Sequence, residues 1–138
     1  MTFTAVEDGA QIFAYNYGYG NYNNMQYKTK DSGGWQPYIA KMNNSGPTIT
    51  LQKAGDTVQF WNNANTLSSN TSQYFNFKIT SNKKMNVSGN IMSLLNYRQD
   101  VPNYCFYRLF YQCWYLVDAG QLQMPDTVGV SCYQNMFE

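Results

Sequence analysis

From Tyr74 to Thr80 the chain reads Tyr-Phe-Asn-Phe-Lys-Ile-Thr, apolar and polar by turns. A period of two puts Phe75, Phe77 and Ile79 on one face of a strand and Asn76 and Lys78 on the other. Over 57–61 the same period sets Val58 and Phe60 against Gln59 and Trp61. Shorter β-prone runs fall at 2–6, 11–15, 25–30, 48–51 and 85–88. They are separated by turn formers such as Asp31-Ser-Gly-Gly34 and Lys53-Ala-Gly-Asp56. Short strands at this spacing, with no helix between them, predict an antiparallel β-sandwich over residues 1–88 with Phe60, Phe75, Phe77 and Ile79 in its core.

The pattern changes at Gly89. Asn90-Ile-Met-Ser-Leu-Leu95 has helical spacing, so 89–102 is expected to form a helical junction. Beyond it, Cys105-Phe-Tyr-Arg-Leu-Phe110 returns as Cys132-Tyr-Gln-Asn-Met-Phe137, 27 residues later. Residues 103–138 thus read as one repeat, with a short helix at 105–110 followed by a strand, and the start of a second. A repeat cannot bury its apolar face alone. Phe110, Trp114, Tyr115, Met136 and Phe137 are therefore expected to contact a partner: a second copy or a neighbouring structural protein. The sandwich is expected to fold without residues 103–138.

Composition narrows the chemistry. Only 12% of the 138 residues are charged, 17% are aromatic, 13 are tyrosine, and the net charge is +1. No basic patch is available for a phosphate backbone, which disfavours nucleic acid. No apolar run reaches the roughly 18 residues needed to cross a bilayer, and MTFTAVEDG lacks the features of a secretory signal. There is no histidine, which removes Ser-His and Cys-His dyads and the commonest metal ligand. The three cysteines lack Cys-x-x-Cys spacing and read as small buried hydrophobes. No pair of carboxylates is placed for glycoside hydrolysis. Glu7-Asp8 reads as a strand end, with a calcium site as the alternative. No enzyme, cofactor or metal is expected.

The most distinctive stretch is Ala14-Tyr-Asn-Tyr-Gly-Tyr-Gly-Asn-Tyr-Asn-Asn24. On an extended chain Tyr15, Tyr17 and Tyr19 share a face. Together with Tyr22 they suit either an aromatic platform for a sugar ring or protein partner, or a tyrosine-rich sheet face. Trp61, out of phase with Val58 and Phe60, is a further ligand-binding candidate. Trp35 reads as a structural plug beside its hairpin.

The segment from Cys105 to Phe137 resembles the repeats of BspA-like leucine-rich-repeat surface proteins. The match falls on Cys105, Phe106, Leu109, Phe110, Cys113, Leu116, Ala119, Leu122, Pro125 and Val128. TFTAVEDG, WQPY from Trp35, ITLQKAGDTVQF and SGNIMSLL resemble the domain that often precedes such repeats in gut Bacteroidetes and their phages. The resemblance implies a non-catalytic recognition or adhesion module that binds a glycan or protein at a cell surface. The alternative is a virion protein, capsid-decorating or fibre-associated, acting through assembly contacts.

Overall fold

The computed structural model describes residues 1–18 and 24–138. It is mainly β. One sheet has six strands: β1 (Thr2–Ala5), β3 (Gln26–Lys28), β4 (Gln36–Pro37), β7 (Thr57–Trp61), β9 (Met85–Asn90) and β10 (Leu116–Gln123). They lie in the order β10-β9-β1-β7-β3-β4. All neighbours in it are antiparallel except β9 and β10, which run parallel. The two-residue β4 forms one edge with Pro37, where the missing N–H costs no ladder bond.

The second sheet is built on β2 (Ala10–Tyr17). It pairs β8 (Tyr74–Ile79) along one side, and β6 (Ile49–Leu51) and β5 (Asn44–Ser45) along the other. Although only a tight turn separates β6 from β7, they belong to different sheets, so Lys53–Asp56 is a crossover rather than a hairpin.

The two sheets share one core. Phe77 of β8 lies 5.1 Å from Phe3 and 4.9 Å from Phe60, ring centre to ring centre. Phe60, Phe75, Phe77 and Ile79 are all buried, as the two-residue period requires. Asn76 is not on the surface, however. It is fully buried, because a later segment covers the outer side of β8.

That segment corrects the helical reading of 105–110. The junction is a single 3-10 turn, Ile91–Leu94, capped by the Asn90 side chain. Residues 104–112 instead form a ribbon of successive turns. Cys105, Tyr107, Leu109, Tyr111 and Cys113 each donate a backbone N–H to the carbonyl three residues earlier, and φ is positive at Tyr104, Arg108 and Gln112. The 27-residue repeat reappears in the backbone: Ser131 (φ 56) matches Tyr104 (φ 58), and Asn135 (φ 54) matches Arg108 (φ 55).

The second ribbon lies alongside the first. N–H groups of Tyr104, Phe106, Arg108, Phe110 and Gln112 donate to carbonyls of Val130, Cys132, Gln134, Met136 and Glu138 at 2.6–3.2 Å. Equivalent rings stack, Phe106 on Tyr133 at 6.1 Å and Phe110 on Phe137 at 5.2 Å. A side chain at position 129 would meet the Asn103 backbone nitrogen at 2.5 Å, so the close approach there requires Gly129. Each coil therefore consists of a strand, β9 or β10, and a ribbon.

The coils are not a separate unit. Cys105, Phe106, Leu109, Phe110, Cys113, Cys132 and Met136 join the cluster that holds Phe3, Phe60 and Phe77. Phe110, expected to meet a partner, sits 6.0 Å from Phe3 inside the core, and Met136 is also buried. Both are removed from the set of partner contacts. Trp114 and Phe137 remain exposed, and Tyr115 is half-buried.

Candidate binding cleft

Strand β7 sends Val58 and Phe60 inward and turns Gln59 and Trp61 toward the outer face of the six-stranded sheet. Directly opposed residues share a face, so cross-strand register reads out that surface. One row runs Lys28, Gln59, Thr2, Ser88, Gln121, and the next runs Thr57, Thr4, Asn86, Asp118. Hydroxyls and amides dominate. Trp61, paired with Gln26, is the large apolar exception.

Two more aromatic residues rise beside it. Trp35 follows Gly33 and Gly34, whose φ values of 69° and 120° carry the β3–β4 turn. It is 44% exposed, which overturns its reading as a plug. Tyr97 follows the 3-10 turn at φ 56° and is 60% exposed. Two adjoining hollows lie between these rings, one of about 310 Å³ lined by Gln26, Trp35 and Trp61. The other, about 230 Å³, is bounded by Trp35, Trp61 and Tyr97 with Thr2, Gln59 and Asn90 among its polar walls. Met1 closes its floor, its amine donating to the Phe60 carbonyl and the Ser93 hydroxyl. Burial pulls that amine down to about 6, so it is mostly uncharged at neutral pH. No Asp or Glu lines either hollow.

The tyrosine stretch behaves differently. Tyr15 and Tyr17 do share a face of β2, but Tyr17 spends its ring on its neighbours. Tyr15 lies 4.2 Å away and Tyr74 is stacked at 4.5 Å. Arg108 continues the pile, 5.4 Å from the Tyr74 ring, 5.2 Å from Tyr107 and 4.3 Å from Tyr111. This is the sheet-face alternative, an internal ladder holding the first ribbon to β2 and β8. Burial pushes the Tyr17 phenol above its ordinary value. Tyr19 and Tyr22 lie outside the described residues. Of the sequence candidates among the described residues, Trp61 alone lines the cleft. Trp35 and Tyr97 were missed, although a residue just after a Gly-Gly turn is well placed to face solvent.

The remaining chemistry is structural. Glu7 accepts from the Lys84 N–H and Asp8 from the Ala54 N–H, so this adjacent pair serves two different turns. Among the described residues no group of three or more carboxylates or cysteines converges on a metal site. No helix among them is long and apolar enough to cross a membrane. The chain matches no protein-family model, and neither a curated protein nor a solved structure is significantly similar to it.

Proposed function

We propose that this protein is a non-catalytic recognition module of a cell or virion surface, a β-sandwich that binds a neutral glycan between Trp35, Trp61 and Tyr97. The observation that carries the reading is three aromatic rings, Trp35 and Tyr97 exposed and Trp61 half-buried, around hollows with uncharged walls beside a sheet face rich in amides and hydroxyls. Sugar rings offer apolar C–H faces to aromatics and hydroxyls to amides, and they need no charged partner. The carboxylate-free walls fit binding rather than glycoside hydrolysis, which needs an acid and a base on either side of the bond. The likeness to BspA-like proteins supports the same role, with the coils as the start of a leucine-rich-repeat solenoid.

Titration calorimetry with neutral oligosaccharides, chosen from a glycan array, tests this. Burying a large aromatic is worth about 1.5–3 kcal/mol, so Trp61→Ala and Trp35→Ala should each weaken binding about ten- to hundredfold. Tyr17→Ala should leave binding unchanged. If no neutral glycan binds, or if both tryptophan variants bind normally, the reading fails. A second reading, a virion protein acting through assembly contacts, draws on the exposed apolar side chains Val130 and Phe137, which are 70% and 56% exposed.

A further inference from the structure

Seven of the nine basic residues are exposed, and three of those, Lys30, Lys53 and Arg98, make ion pairs. Lys78 and Arg108 are the two that are half-buried. Among the described residues neither of them meets a carboxylate. Charge taken partly out of water without a counter-charge is costly, and the cost rises where two like charges sit together.

These two cations are neighbours. Lys78 Nζ donates to the Tyr111 carbonyl at 3.1 Å and lies 5.7 Å from the centre of that ring, while Arg108 lies 4.3 Å from it. Burial draws the Lys78 ammonium below its ordinary value, and the Arg108 charge adds to the effect. The tyrosine faces offset part of the Arg108 charge. Of its several donors, however, the guanidinium commits one, Nη1, to the Tyr74 hydroxyl at 3.3 Å.

The surroundings are aromatic and free of acid. Alternation along β2 turns Phe13 and Tyr15 outward, and register sets Phe13 opposite Lys78 and Tyr15 opposite Asn76. Both rings are half-buried. No strand of this sheet contains Asp or Glu, and neither does the ribbon 104–112. Glu138, one repeat on from Tyr111, makes no ion pair with either cation. The patch lies on the outer face of the second sheet, whereas the cleft lies on that of the first.

We infer that Lys78 and Arg108 form a binding site for an oxyanion, a carboxylate or sulfate group. Arg108 offers forked, directional donors and Lys78 a point charge. The tyrosine ladder already holds the guanidinium in place, so little freedom is lost on binding. Phe13 and Tyr15 suit an anionic group carried on a sugar ring, while a free anion would use the two cations alone. The inference does not depend on the neutral-glycan reading of the cleft.

The full chain is titrated with sodium sulfate and, separately, with sodium glucuronate, against sodium chloride at matched ionic strength. The Lys78 Hε and Arg108 Nε–H resonances are followed by NMR. Both should shift saturably, half-complete on the order of 1 mM, and chloride should shift neither. Lys78→Gln keeps a donor for the Tyr111 carbonyl and should weaken binding about tenfold or more. Lys83→Gln, at an exposed lysine, should change nothing. Sulfate should also raise the unfolding midpoint of the native chain but not that of Lys78→Gln, which without anion should be at least as stable. A lysine that merely props the ribbon would behave otherwise, its variant being less stable in every buffer whatever the anion, and that result overturns the site. Tighter binding of glucuronate than of sulfate assigns the oxyanion to a sugar, tighter binding of sulfate makes it a free anion, and either supports the site. No saturation with either anion, or equal affinity of Lys78→Gln and the native chain, overturns it.

Discussion

Tyr104, Arg108, Gln112, Ser131 and Asn135 all hold positive φ, a region that costs a non-glycine residue roughly 1–2 kcal/mol. Five such residues persist because the inter-ribbon hydrogen bonds and stacked rings over-determine them. That explains the misreading of 105–110. Cys105/Leu109 and Phe106/Phe110 recur at four residues, as on a helix, yet a turn ribbon gives the same spacing, and sequence does not display φ. The thiols were more legible. Cys105, Cys113 and Cys132 are buried and unlinked, as small apolar residues beside aromatics should be. Burial pushes the Cys113 thiol up to about 11, against an ordinary value near 8.5 in an unfolded chain. A thiol raised by folding keeps its proton in the folded state. Its contribution to stability is therefore complete below about pH 8.5 and is lost as pH rises toward 11. Urea midpoints should fall between pH 9 and 11, and Cys113→Ala should fall less steeply. Parallel curves for the two proteins would refute this assignment.

Alternation along β8 correctly separates Phe75, Phe77 and Ile79 from Asn76 and Lys78, but it cannot say what covers the polar side. The first ribbon covers it, and Asn76 Nδ2 meets the carbonyls of Arg108 and Tyr111 at 2.9 and 3.1 Å. Asn76→Ala should cost about 1–3 kcal/mol, because it strands buried carbonyls. It should also speed amide exchange in 104–112 more than in β1 or β7. Uniform exchange throughout the chain would show that the ribbon does not depend on this side chain. Strand β10 was hard to place for a related reason. Leu116, Ala119 and Leu122 are spaced by three, a spacing no regular strand keeps on one face. Register shifts between Leu116 and Asp118, and again between Asp118 and Gln121, bring them onto one side against β9.

At the scale of the whole molecule, one core spans residues that the sequence divides at 88 and 103. The repeat was visible in the text of the chain, whereas its insertion between two sheets was not, since nothing local links Phe110 to Phe3. This shared core argues against the expectation that residues 1–102 fold alone. Removing 103–138 takes Phe106, Leu109, Phe110 and Cys113 out of the shared cluster and uncovers Phe77 and Asn76. The shortened chain should lose its near-ultraviolet circular dichroism and bind a hydrophobic dye. A sharp unfolding transition at an unchanged midpoint would restore the two-domain reading.

The donors Ser68, Asn76, Phe77 and Lys78, which meet the carbonyls of Tyr107, Leu109 and Tyr111 in the first ribbon, also bear on how the coils are placed. In a repeat array, structure can in general nucleate at any unit and spread, which leaves register open to slippage. Here the first ribbon closes onto a row of donors on and beside β8 and shares one core with both sheets, so its register is set by the body with which it packs. The body thereby acts as a primer that sets the register of everything stacked upon it.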